Sequence, residues 1–427
     1  MLPQDCIVET GKDGKKARFV ISETGQRYQL GKKLGDGGVG SVYLVIAADG
    51  PQKGQKFVLR EYRSPNGNLT ISAQQRSIRR NLEHLIETPV TDDDGKPLPS
   101  LVKPLDMIAF PLTDSFGCIM NYVELKDFVS VGKMRKSFPP ADILCKLCYE
   151  VSHFFARLAS ASGLCCNDIN EGNIYLNPQT GDVRIIDNDN IVPPGAPALA
   201  YNSFYMPPEV VMGEGAADMY TSRFLLAAYL FRLFLGGFPY DGPRAARYIS
   251  EHGLTITSTK DIIIGSDATF IFDPDDRSNA IHSALLPDNA TPVEKAQHNS
   301  WMHQAETWDR LPPVLQENFI RTFSRGCSPE NRQNRTTAQK WQKTFLDLQQ
   351  SIVTCPQCGQ TTFGTGPRCF FCGETLQTVS CKHCGGATPT LHPVCIHCSK
   401  PLDSVADPAG QPPCQEDHLS PEQRCTL

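Results

Sequence analysis

The sequence predicts an α+β fold of two lobes, a small β-rich one and a larger helical one, followed by a cysteine module and a polar tail. Three observations predict it. Apolar residues recur at period two, punctuated by glycines, as far as Glu61. From Leu125 onward they recur at helical spacing. After Ser351 the composition switches abruptly to Cys, Gly, Pro and Thr. The expected units are a tail (1–18), a β-rich lobe (19–123), a helical lobe (124–350), a cysteine module (351–402) and a disordered tail (403–427) rich in Pro, Asp, Gln and Glu.

Taken in order, strands are expected over 17–22, 28–34, 41–47 and 56–61. A helix follows over 72–87, where Ile78, Leu82, Leu85 and Ile86 share one face. Two more strands are expected at 105–110 and 117–122. In the second lobe 141–160 reads as a helix, 163–191 as loops with short strands, 218–235 as a buried helix and 311–348 as helical again. Residues 241–311 carry no clear period. The most apolar run, 224–238, is a turn short of a membrane span and contains Arg232. With no basic-then-apolar leader at the start, a soluble, cytoplasmic protein is expected. A net charge of −5 over 427 residues gives no general field for nucleic acid.

Eight of the 17 cysteines form four Cys-x₂-Cys pairs. Cys355-x₂-Cys358-x₁₀-Cys369-x₂-Cys372 is repeated 26 residues on as Cys381-x₂-Cys384-x₁₀-Cys395-x₂-Cys398. Each pair sets two thiolates on one tight turn, and two pairs complete a tetrahedron around Zn²⁺. Disulfides or an iron–sulfur centre are the alternatives. The module reads as a double zinc ribbon with two structural Zn²⁺, too poor in apolar residues to fold without metal. His383, His392 and His397 are expected to be bystanders. A closed Cys₄ site has no open position for catalysis, so the ribbons are expected to bind a protein partner. Arg368, Lys382 and Lys400 are too few cations for nucleic acid.

Gly35-Asp36-Gly37-Gly38-Val39-Gly40-Ser41-Val42 lies between two strands, not between a strand and a helix. That context suits a hairpin covering nucleotide phosphates, with a ligand-free glycine hairpin as the competing reading. Val58 and Arg60 follow on the next strand, where a cation reaches phosphates. The helix after it places Arg79 where a carboxylate partner is expected, and Glu83 and Glu87 read as a solvated face. Met120-Asn121-Tyr122-Val123-Glu124 would be the lobe connection, its backbone groups facing adenine and Met120 guarding the pocket behind. Then come Asp168, Asn173 and Asp187, at the spacing of a hydroxyl-orienting base and two Mg²⁺ ligands.

On these motifs the chain resembles the eukaryotic-type protein-kinase superfamily, and most of all its divergent bacterial branch with G-D-x-x-x-x-N and D-x-D motifs. Further residues carry the resemblance: Tyr205-Met206-Pro207-Pro208-Glu209, Asp218 heading the apolar helix, Gly236-Gly237-Phe238-Pro239-Tyr240, and Arg335-Thr336-Thr337-Ala338. It spans about residues 20–348. The resemblance implies a bilobal protein-kinase-like fold, ATP with Mg²⁺ (or Mn²⁺) as cofactors, and transfer of the γ-phosphate to a Ser/Thr hydroxyl of a protein substrate. It implies a Glu209–Arg335 pair, and Asp218 clamping the catalytic loop. It also implies signalling partners, among them a metal-dependent phosphatase or a von Willebrand-type domain protein. Cys166-Asn167 replaces the usual His-Arg, and the segment 188–203 holds one Ser/Thr hydroxyl, Ser203. A constitutive or partner-switched enzyme fits that better than activation by phosphate–Arg pairing. A nucleotide-binding pseudokinase scaffold remains an alternative, as does a small-molecule phosphotransferase.

Overall fold

The computed structural model describes residues 6–10, 14–37, 40–62, 73–113, 115–134, 138–186, 188–196, 202–253 and 261–402. It is a mixed fold: a β-rich N-terminal sheet, a helical C-terminal region and two Cys₄ groups. Strands β1 (Ile7–Thr10), β2 (Lys16–Ile21), β3 (Arg27–Gly37), β4 (Gly40–Ala47), β5 (Lys56–Tyr62), β6 (Pro104–Phe110) and β7 (Ser115–Asn121) form one antiparallel sheet in the order β1-β2-β3-β4-β5-β7-β6. Alternation decides its two faces. Tyr43, Val45, Ala47, Phe57, Leu59 and Ile119 bury on one face with Val20, Tyr28, Ile108 and Phe110. On the other, helix α1 (Ala73–Glu87) lays Ile78 and Leu82 over Tyr62, Met107, Phe116 and Cys118.

The tail expected at 1–18 is partly sheet. Ile7–Thr10 pairs antiparallel with β2, Ile7 opposite Phe19 and Thr10 opposite Lys16. All four residues of β1 are exposed, so no buried face marks it in the sequence. The unpaired N–H and C=O groups along the edge of β2 are what recruit it.

The helical region is built on α3 (Ala141–Arg157) and α5 (Met219–Leu235), which follow two single-turn helices, α2 (Val131–Met134) and α4 (Pro208–Val211). From Thr221 to Leu235 every residue of α5 but Arg223 and Arg232 is buried, as expected for its apolar run. Gly236 ends it at φ 78°, a left-handed conformation that a side chain resists. Among the described residues the stretch without clear period resolves into α6 (Pro243–His252), a π-helical segment (Asp261–Ser266), two short 3₁₀ turns and α7 (Pro292–Arg310). The last of these opens with a Thr291–Glu294 capping box. Then come α8 (Pro313–Phe323) and α9 (Ala338–Gln350). Phe224, Phe231, Phe319, Phe323, Trp341 and Phe345 form the aromatic centre of this core. Among the described residues no helix is long and apolar enough to cross a membrane.

Each ribbon carries one short hairpin. Ile352–Thr354 pairs with Thr361–Phe363, and Thr378–Ser380 with Ala387–Pro389. The composition switch at Ser351 is not a packing boundary. Phe363 and Phe370 of the first ribbon belong to the main core, with ring centroids 6.2 and 5.9 Å from Phe234. Pro140 gives α3 no side-chain cap; instead the Ala141 N–H donates to Thr361 Oγ1 at 2.9 Å, and that hydroxyl donates to Asp142 at 3.0 Å. A ribbon residue thus satisfies an orphan donor of the helix. The second ribbon touches the end of α9 through His392 Nε2, 2.9 Å from the Gln350 carbonyl.

Candidate functional site

Two loops are held side by side by strand pairs at both ends. β8 (Val129–Ser130) borders β10 (Ile174–Leu176), which pairs with β11 (Val183–Ile185) so that Ile174 faces Ile185. At the other end β9 (Cys165–Cys166) pairs with β12 (Ile191–Val192), Cys166 facing Ile191. Two backbone bonds of 2.9 Å add to the frame, Asn167 N–H to Asn190 O and Ile186 N–H to Asn173 O. The first loop carries Asp168 and Asn173, both half-buried, and the second carries Asn188 and Asp189. Asp187 lies outside the described residues. Asn188 is structural: its Nδ2 donates to Val102 O and Ile185 O, each at 3.0 Å.

The first loop is tied to α5 by Ser222, whose Oγ accepts from the Cys166 N–H at 3.2 Å. The resemblance implies that clamping role for Asp218. Its Oδ1 instead caps α5, accepting from Tyr220 and Thr221 N–H at 2.8 Å, and its Oδ2 pairs with Arg332 at 2.7 Å. Burial pushes the Cys166 thiol up to about 12 and that of Cys165 to about 11, so neither is a nucleophile. Asn167 is 2% exposed, and its Oδ1 has no hydrogen-bond partner among the described residues.

The sheet contributes Arg60. Strand register places it opposite Val42 and Cys118, with Val58 opposite Leu44 and Met120. Val42, Val58, Arg60 and Met120 therefore share one half-buried face beside the α1 cluster, and Val123 follows just past β7, half-buried. Arg60 Nη2 lies 3.2 Å from Asp189 Oδ2, with side chains 13% and 9% exposed, and its guanidinium sits 5.2 Å from the Tyr62 ring centroid. The carboxylate partner sought on α1 thus comes from the second loop. On α1, Arg79 is paired with Glu83 and Glu23 at 2.7 and 2.5 Å, Glu87 is exposed, and Gln75 is buried. The second carboxylate two residues after Asp187 was the available sequence signal for this partner.

The glycine motif is the β3–β4 hairpin, Gly37 facing Gly40; Gly38 and Val39 lie outside the described residues. Gly40 is required by packing, since a Cβ there would sit 1.8 Å from the Glu61 carbonyl oxygen. Among the described residues nothing lies within 4 Å of a Cβ placed at Gly35. Below the loops, Glu209 and Arg335 form a bidentate pair at 2.7 and 2.9 Å, side chains 5% and 0% exposed. Arg335 also donates to Gly326 O at 2.8 Å.

The cysteines gather as two sets: Cys355, Cys358, Cys369 and Cys372, and Cys381, Cys384, Cys395 and Cys398, each with all four sulfurs within 4.8 Å. The closest pairs are 3.7 and 3.8 Å apart in the first set and 3.7 and 3.5 Å in the second. Four thiolates at about 2.3 Å from zinc stand about 3.8 Å apart, so the donors fit two Zn²⁺. The Thr388 hydroxyl, 3.4 Å from Cys395 Sγ, together with neighbouring backbone N–H groups, holds that thiol down at about 5. His392 and His397 bond to carbonyls and join neither set. Gly359, Gly373 and Gly385 follow three knuckles at φ 71°, 78° and 74°; Ser399 takes the fourth place at 58°. Compared with protein-family models and with curated proteins, the chain matches none.

Proposed function

We propose that the chain is an ATP- and Mg²⁺-dependent protein kinase that phosphorylates a Ser/Thr hydroxyl, with zinc ribbons that recruit a protein partner. The observation carrying this reading is the convergence of Asp168, Asn173 and Asp189 on one pair of framed loops, with Arg60 reaching Asp189 from the sheet. In this reading Asp168 orients the hydroxyl and takes its proton. Asn173 and Asp187 would hold Mg²⁺, which would supply positive charge to offset that of the nucleotide phosphates. Arg60 faces the α/β-phosphates, kept in place by Asp189. Val42, Val58, Met120 and Val123 supply an apolar seat for adenine, and the Gly35–Gly40 hairpin covers the phosphates.

The test is transfer of labelled phosphate from ATP to the chain itself or to a generic protein. Asp168→Asn and Asp187→Ala should each abolish it, and equal signal from wild type and variants overturns the reading. One observation favours a second reading, a pseudokinase scaffold: the Arg60–Asp189 pair neutralises the cation that this reading sets against the phosphates. A thermal shift with ATP, with and without Mg²⁺, separates the two. The kinase binds ATP better with Mg²⁺, and the scaffold gains nothing from the metal.

A further inference from the structure

Away from the framed loops, a cavity of about 260 Å³ opens where the end of α3 meets the starts of α5 and α9. Its wall is apolar: Phe155, Ala159, Met219 and Ala338. Against that wall stands Arg223, half-buried. Among the described residues no carboxylate lies within ion-pair distance of its guanidinium, whose contact is the Tyr220 ring at 5.0 Å. Asp218, the carboxylate whose charge reaches Arg223, is engaged by Arg332 and by the N-terminus of α5. Burial accordingly pulls the Arg223 guanidinium below its ordinary value. A half-buried cation with no carboxylate in contact is costly, and an anion that brings its own apolar body relieves it. Bare phosphate or sulfate would leave the apolar wall wet. A metal ion finds no Cys, His or carboxylate in the lining.

We propose that this cavity binds a short aliphatic carboxylate, its chain against Phe155 and Ala338 and its carboxylate on Arg223. Ser222 also lines the cavity, and its hydroxyl holds the Cys166 N–H two residues before Asp168. Occupancy therefore stiffens the loop that carries Asp168, whatever that loop catalyses.

The test is calorimetric titration of the full chain with octanoate, octanol and octylamine. Octanoate should bind at one site per chain, at least tenfold more tightly than octanol, and octylamine should not bind. Arg223→Leu should cost octanoate tenfold or more and leave octanol unchanged. Ser160→Trp, on the exposed rim, should block both ligands while leaving the thermal midpoint within a degree or two. Hydrogen exchange at the Cys166 amide should slow several-fold with octanoate. Equal affinity for octanoate and octanol, no octanoate binding, or full binding by Arg223→Leu overturns the site. Unchanged exchange at Cys166 overturns its link to the loop.

Discussion

Cys358→Ser and Cys384→Ser are matched perturbations: each removes one exposed ligand at the same place in its repeat. The structure makes their consequences unequal. A ribbon without its fourth thiolate does not hold zinc, and with few apolar residues it does not stay folded. Losing the first ribbon bares Phe363 and Phe370, which are 1% and 6% exposed and belong to the main core. At about 1.5–3 kcal/mol per buried side chain, that costs roughly 3–6 kcal/mol. Losing the Thr361 cap on α3 adds about 1 kcal/mol. In a region of this size each kcal/mol moves the midpoint by about 2–4 °C, so the fall is on the order of 10 °C or more. The second ribbon puts no residue into that core, and Cys384→Ser should shift the midpoint by no more than about 2 °C. The three tryptophans, Trp301, Trp308 and Trp341, all lie buried in the helical region, so their fluorescence reports that unfolding directly. Equal falls for the two variants, or a larger one for Cys384→Ser, would refute the reasoning.

Three further outcomes are expected. Glu209→Ala strands the fully buried Arg335 guanidinium and should cost about 3–5 kcal/mol in denaturant unfolding. Lys343→Ala, which breaks an exposed i,i+4 pair with Asp347, should cost no more than about 0.5 kcal/mol; similar losses would contradict the burial argument. Gly40→Ala drives a Cβ onto the Glu61 carbonyl and should lower the melting midpoint, whereas Gly35→Ala meets open space and should not. Ser399→Gly removes about 1–2 kcal/mol of left-handed strain against about 0.4–1 kcal/mol of added chain freedom. Zinc affinity of the second ribbon, measured by chelator competition, should then rise by about two- to fivefold; unchanged or weaker binding contradicts it.

The strands were legible because one face of the sheet is packed: Tyr43, Val45 and Ala47 alternate with half-exposed neighbours, and period two reports that directly. β1 was not, because all four of its residues are exposed. The cysteine spacing specified both Cys₄ sets, since ligand geometry is local. What local pattern could not give was contact across the chain. Phe363 and Phe370 sit in a Cys- and Gly-rich stretch and look like ribbon residues, yet they pack on Phe234. On the next helix Arg79 stands where a carboxylate partner for Arg60 is looked for, and the carboxylate that pairs with Arg60 is Asp189, far along the sequence. Asn188 stands where the resemblance expects Phe, and its hydrogen bonds to Val102 and Ile185 explain why an amide suits that place.

The frame around the two loops carries a rule about chain length. Between Cys166, paired with Ile191, and Ile174, paired with Ile185, each loop has a fixed number of residues to span a fixed gap. Replacing a side chain within 167–173 leaves both pairings intact. Deleting one residue does not: with β9 held, β10 slips by one and its alternation inverts. Ile174 and Leu176, now fully buried, would turn outward and Tyr175 inward. The count of residues between the two pairings is therefore under tighter constraint than most of their identities, and sequences sharing this site should differ there by substitution and not by insertion or loss.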